Sequence, residues 1–178
     1  MMRRRFALAL LLAASPAGAV WGPAGGGQVF QPDQAGATRL LGWEAGLVAF
    51  GPEGQGFWQF AYGQMKDAKK TSTLTTMAGR LNFRLIGHKG YMVYGGPGIE
   101  RDTLKAGGTR KAWVGRVQAG VLICPARLMA PDVLPTPTAP PTGPDAAKSL
   151  DVGVEAGYRR GPTGFTGFDA RVYLLLTL

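Results

Sequence analysis

The chain has 178 residues, of which 46% are hydrophobic and only 17% charged, with 28 Gly, one His, one Cys and a formal charge of +9. That length fits one domain, and four Trp, five Tyr and eight Phe are too much apolar area for a disordered chain. One cysteine excludes a disulfide framework, and His88 with Cys124 cannot supply the four ligands of a usual zinc site.

At the N-terminus, Arg3, Arg4 and Arg5 precede an apolar run over residues 6–14. Ser15 and Pro16 break it, and Ala17-Gly18-Ala19 follows as a small-x-small exit. Basic start, short apolar run and small-residue exit together predict a secretory signal peptide over residues 1–19, cleaved after Ala19. The run is too short for a spanning helix, which needs ~20 apolar residues. No later run approaches that length. Cleavage leaves 17 basic and 11 acidic residues, or +6, on a single domain over 20–178.

Seven segments then alternate with period two, which marks strands with two unlike faces. Segment 39–50 sets Leu41, Trp43, Leu47 and Ala49 against Gly42, Glu44 and Gly46. Segment 56–66 sets Trp58, Phe60 and Tyr62 against Gln59, Ala61 and Gly63. In 73–86, Met77, Leu81, Phe83 and Leu85 oppose Arg80, Asn82 and Arg84. In 91–102, Tyr91, Val93 and Ile99 oppose Gly96, Gly98 and Glu100, with Gly95-Gly96-Pro97-Gly98 read as a bulge or bend. Segment 111–124 opposes Trp113, Val117 and Val121 to Arg116, Gln118 and Gly120. Segment 149–160 opposes Val152, Val154 and Tyr158 to Asp151, Gly153, Glu155, Gly157 and Arg159. Segment 166–178 opposes Phe168, Val172, Leu174 and Leu176 to Asp169, Arg171 and Tyr173. An eighth strand is expected near 25–31, where Val29 and Phe30 are the good strand formers. A rival near 127–134 is disfavoured by Pro125 and Pro131.

Ordinary strands run ~5–6 residues and tilted membrane-spanning strands ~9–11; these segments belong to the second class. Short turns rich in Gly, Pro, Asp and Lys join most of them. The exception is 125–148, whose prolines predict an extended loop. Long consecutive strands with short turns predict an all-β, up-and-down antiparallel barrel of about eight strands, closed so that no edge is left unpaired.

The polar face decides the class. A solvated strand face avoids Gly, which weakens a strand. Here that face is Gly, Ala and spaced charges. Such a face suits a narrow lumen in which Glu44, Arg80, Arg84, Glu100, Arg116, Asp151, Glu155, Asp169 and Arg171 pair, since buried charges must be paired. The apolar face then meets lipid, and Trp43, Trp58, Tyr62, Tyr91, Trp113 and Tyr158 are candidates for interfacial aromatic girdles.

With signal peptide, dyad repeats and a terminal strand alternating Ala170, Val172, Leu174, Leu176 and Leu178, the chain resembles the OmpA/OmpX-like eight-stranded outer-membrane barrels of diderm bacteria. The resemblance implies an outer-membrane location, outer-membrane lipid as surroundings and a monomer. The family usually closes on Phe, and Leu178 departs from that.

With both termini periplasmic, the loops near 32–37, 67–71, 103–110 and 161–164 face outward. Basic residues concentrate at that rim: Arg39, Lys66, Lys69, Lys70, Arg101, Lys105, Arg110, Lys111, Arg159 and Arg160, with Asp33, Asp67 and Asp102 as its acids. A cationic rim at a bilayer is expected to attract anionic lipid head groups or surface polysaccharide. Nucleic acid is not an expected partner of an exported chain whose basic residues do not interleave with aromatics. Catalysis is not expected either. His88 sits in a tight turn, Ser72 and Ser149 have no adjacent His, and neither cofactor nor metal motif is present. The expected role is structural or surface-binding within the envelope. Two other readings fit the strand pattern: a soluble periplasmic, lipocalin-like barrel holding an apolar ligand, and a narrow ion channel.

Overall fold

In a computed structural model, which describes residues 20–51, 55–88, 90–128 and 149–177, the chain closes into one antiparallel barrel. Its strands are β1 (Val20–Pro32), β2 (Leu40–Phe50), β3 (Gly56–Asp67), β4 (Thr73–His88), β5 (Tyr91–Lys105), β6 (Thr109–Ile123), β7 (Ser149–Arg160) and β8 (Gly167–Thr177). Each pairs with its neighbour in sequence, and β1 pairs with β8 to close the sheet. Closure satisfies every strand edge, which matters most where no water can do so. A single helical turn, α1 (Pro125–Leu128), follows β6. The segment 1–19, expected to be a signal peptide, most of the Pro-rich loop and Leu178 lie outside the described residues.

The eighth strand is the N-terminal one, and it is longer than its few strand formers suggest. β1 pairs from Val20 to Phe30 with β2, and from Ala24 to Pro32 with β8. Gly-rich β1 is held by two ladders rather than by its own propensity, since tertiary context overrides weak β-propensity.

The irregularity expected at Gly95–Gly98 lies elsewhere. Those residues pair in unbroken register with Gln118 and its neighbours on β6. The register shift falls on β4, between Arg84 and Ile86. The extra residue breaks the alternation there, so Leu85 and Ile86 are consecutive and both point outward.

Burial follows the alternation in reverse of a soluble protein. The charged and Gly-bearing face turns inward, and the apolar face turns out: β8 alternates buried and exposed through its whole length. Among the described residues no helix is long and apolar enough to cross a membrane.

Candidate functional site

Four arginines from β4, β6, β7 and β8 reach into the lumen, where their forks match the carboxylates of five acids. Arg80 grips Glu44 with both terminal nitrogens, at 2.8 and 2.6 Å, and donates to Glu100 at 2.8 Å. Arg116 donates to Glu100 at 3.2 Å, to Glu155 at 2.8 Å and to Asp169 at 2.5 Å. Arg171 pairs with Glu44, with Glu155 at 2.5 Å and with the Gln59 amide oxygen at 2.5 Å. Arg159 pairs with Asp102 and with Glu100 at 3.0 Å.

Each carboxylate of the trio Glu44, Glu100 and Glu155 is shared by two or more arginines, so the network is continuous across the barrel. A single broken partner would leave a charge buried without compensation.

Of the nine residues expected in the lumen, seven meet in this network, and Arg84 and Asp151 lie toward the end of the short turns. Arg84 is half-buried beside the β4 bulge, its guanidinium against Gly87. Asp151 is buried toward the same end, near the Ser149 hydroxyl at 3.5 Å.

Two residues move the other way. Arg159 was expected at the basic rim as well as on the lumen face, and it is only 1% exposed. Asp102, expected as a rim acid, is fully buried beside it. Both share the inward parity of their strands, Arg159 with Glu155 and Asp102 with Glu100. The charge extends further up the barrel than the rim reading allowed. There Arg159 also lies over the Phe30 ring at 4.6 Å.

The lumen is not polar throughout. Two apolar clusters lie above and below the charge layer. At the end carrying the short β2–β3 and β4–β5 turns, Val48, Phe50, Phe57, Tyr94, Tyr173 and Leu175 pack together. Phe57 meets Tyr94 edge-on at 4.9 Å. Tyr94 donates to Glu155 at 3.0 Å, so Tyr173 donates to Tyr94 across their 2.9 Å contact. This chain of hydroxyls joins the apolar cluster to the charge layer. At the other end Phe30, Leu40, Met65, Leu74, Leu104 and Val114 pack under Phe165, which the β7–β8 loop folds back into the mouth. Arg110 lies over the Phe165 ring at 5.8 Å and donates to the Thr163 carbonyl at 3.2 Å.

The lumen glycines make room for these groups. A Cβ on Gly153 would overlap the Tyr173 ring, and one on Gly157 would press on the Arg116 guanidinium at 2.7 Å.

The outer wall is apolar between two aromatic levels. Trp58 and Tyr91 mark one level, with Trp21 of β1 beside them. Trp21 and Trp58 flank Ala49 in the ladders, and Ala49 is only 4% exposed although its parity is outward. Trp43, Tyr62, Trp113 and Tyr158 mark the other level, with Phe168 against Tyr158 at 4.9 Å. Tyr158 also donates to Asp33 at 2.9 Å. Ten residues of β5 separate the rung of Tyr91 from that of Trp113. On β3 the two levels come closer, since Trp58 and Tyr62 stand on the same strand two outward positions apart. The outward positions of β8, Phe168, Ala170, Val172, Leu174 and Leu176, carry no charged side chain.

Above the upper level Lys66, Lys69, Lys70, Lys105, Arg110 and Arg160 are exposed at one rim. Asp67 is instead turned inward and tied to its own turn by Thr71 Oγ1 at 2.6 Å and the Ser72 amide at 3.0 Å. His88 is stacked on Tyr91 at 5.4 Å, at the end opposite Ser72. Among the described residues no three His, Cys, Asp or Glu side chains group as metal ligands.

No protein-family model and no curated protein sequence matches the chain. Among solved structures it is similar to the crystal structure of Neisserial surface protein A, with a TM-score of 0.54 and 13% identity, over 90% of this chain and 96% of that one. Likeness at that identity is likeness of fold. With the eight-stranded closure and an apolar face turned outward, the chain has the fold of the small outer-membrane β-barrels.

Proposed function

We propose that the protein is a non-catalytic structural barrel of the outer membrane whose lumen is a sealed core rather than a passage. The observation that carries this reading is the layering of the interior. A continuous Arg–carboxylate network lies between two apolar clusters, so water and ions meet a closed layer from either end. Eight strands leave an interior that side chains fill. A lipocalin-like binder needs an empty apolar cup and a solvated outer wall; here both faces are the reverse. An ion channel needs a continuous wet path, which the two clusters interrupt.

The exterior supports the same reading, since large apolar side chains such as Leu41, Met77, Ile99, Val117 and Phe168 stand exposed on it, as on the lipid face of a barrel. The expected location is the outer membrane, with the basic rim at one surface. The test has two arms. The refolded barrel in planar bilayers is expected to give no discrete conductance, and regular single-channel steps would overturn the sealed-core reading. In cell fractions it is expected to stay with membranes through a carbonate wash and to shift mobility on heating. Release into the soluble fraction would overturn the membrane reading.

A further inference from the structure

We propose that the outer wall of β3–β6, at the basic rim, is a binding site for a phosphate-bearing lipid of the surrounding leaflet. The inference rests on the membrane reading above and adds a particular site and ligand chemistry to it.

The ladders set the site. Lys66 pairs with Thr73, and Thr73 with Lys105, on one outward rung. On the next rung Thr75 pairs with Thr103, and Thr103 with Lys111. On the third Arg101 pairs with Trp113, its guanidinium over the indole at 5.2 Å. Same-face neighbours on paired strands stand ~4.5–5.5 Å apart. Three ammonium groups and a guanidinium therefore share a small patch with three threonine hydroxyls. The nearby acids do not offset them, because Asp67 and Asp102 turn inward. A phosphate is the anion such a patch suits: cations supply charge and hydroxyls supply donors.

The wall below selects a lipid over a soluble anion. The next rung reads Phe60, Gly79, Ile99 and Gly115. Outward from Gly79 the nearest atom to a Cβ would be Phe60 Cε1 at 3.9 Å, and from Gly115 the Arg160 carbonyl at 3.9 Å. Two shallow recesses thus flank Ile99 directly beneath the cations, in the apolar band, where an acyl chain can lie. A soluble polyanion would instead meet Lys69, Lys70 and Arg110 at the mouth. The opposite wall lacks the arrangement. Among the described residues its rim cation is Arg39, which donates to Gln31 at 3.3 Å, whereas Arg160 borders the site as the partner of Gly115.

The test uses tryptophan quenching by brominated lipid. Two single-tryptophan barrels keep Trp113 or Trp21, the latter on β1 and outside β3–β6, with the other tryptophans changed to Phe. Each is refolded into phosphatidylcholine vesicles with a minor fraction of phosphatidylglycerol, the bromine on either lipid. At Trp113 brominated phosphatidylglycerol is expected to be enriched over its bulk fraction by roughly fivefold, the effect of about one basic residue near an anionic surface. At Trp21 it should follow the bulk fraction. Lys66→Gln, Lys105→Gln and Lys111→Gln together should abolish the enrichment, and added inorganic phosphate should leave it unchanged. Bulk-fraction quenching at Trp113, equal enrichment at both tryptophans, or enrichment in the triple variant overturns the site. So does binding of dextran sulfate to the barrel in pure phosphatidylcholine that is lost in the triple variant, when phosphatidylglycerol shows no enrichment, which would assign the patch to polysaccharide. If brominated phosphatidylcholine quenches neither tryptophan, the membrane reading itself fails.

Discussion

Gly153 and Tyr173 are cross-strand partners in the β7–β8 ladder, and the Tyr173 ring fills the space where a Gly153 side chain would stand. Gly153→Ala therefore has to displace a ring that is hydrogen-bonded to Tyr94. The expected cost is about 1–3 kcal/mol, as for overpacking of a close-packed core. Gly115→Ala faces outward, with its nearest neighbour 3.9 Å away, and should stay within ~0.5 kcal/mol. Urea titration of the refolded barrel, followed by tryptophan fluorescence, compares the two. A Gly153→Lys variant that folded normally would mean an open lumen.

Val154 is 49% exposed at mid-strand, on the wall assigned to lipid. Val154→Arg should cost about 2–4 kcal/mol if a bilayer surrounds it, as for a basic residue at the midplane. In a water-soluble barrel of the same structure the new side chain would be solvated and nearly neutral. Because the apolar face points out, this one substitution separates the two settings. The readout is the folding midpoint in vesicles, where a cost under ~0.5 kcal/mol would count against lipid contact.

Tyr94→Phe removes the hydroxyl that links the lower apolar cluster to Glu155 while keeping the ring against Phe57. Glu155 retains Arg116 and Arg171, so the expected loss is modest, about 1.5–3 kcal/mol for a hydrogen bond to a charged group. Phe57→Ala in the same cluster deletes the ring itself and should cost more, about 3–5 kcal/mol. The order of the two urea midpoints is the measurement, and a larger loss for Tyr94→Phe would mean that the hydroxyl chain matters more than the packing.

How far these features were legible depends on which signal each one left. Strand positions and faces were, because period two survives burial, and a lumen of Gly and charge has no soluble counterpart. The partners were not. Pairing Arg80 with both Glu44 and Glu100 depends on the stagger of the strands around the barrel, which alternation along one strand does not contain. Asp102 and Tyr94 carried the right parity, two residues beyond Glu100 and two before Gly96. Asp102 lies close to the rim loop, and Tyr94 is an aromatic on a face otherwise built of Gly and charge, so neither stood out by type. Phe165 left no periodic signal, because it belongs to a loop that folds back into the mouth. The β4 bulge was masked too, since Leu85 and Ile86 both look like ordinary strand formers.

Arg159 and Arg160 are adjacent in sequence and face opposite sides of the wall. Arg159→Gln would leave Asp102 without its arginine and weaken the hold on Glu100. Removing one partner of a buried pair costs about 3–5 kcal/mol, most of it the uncompensated charge that remains. Arg160→Gln removes an exposed charge and should change stability by less than ~0.5 kcal/mol. The two cations also differ in salt response: Arg160's contribution to anionic-vesicle binding should fade by 1 M salt, where the Debye length is ~3 Å, whereas the buried network should hold. For this reason a test of rim charge has to leave Arg159 intact. A rim variant that included it would lose binding through unfolding and mimic the loss of a lipid site. Urea midpoints of the two single variants, measured in neutral vesicles at low and high salt, check the assignment. Similar small losses for both would place Arg159 at the surface and remove it from the network.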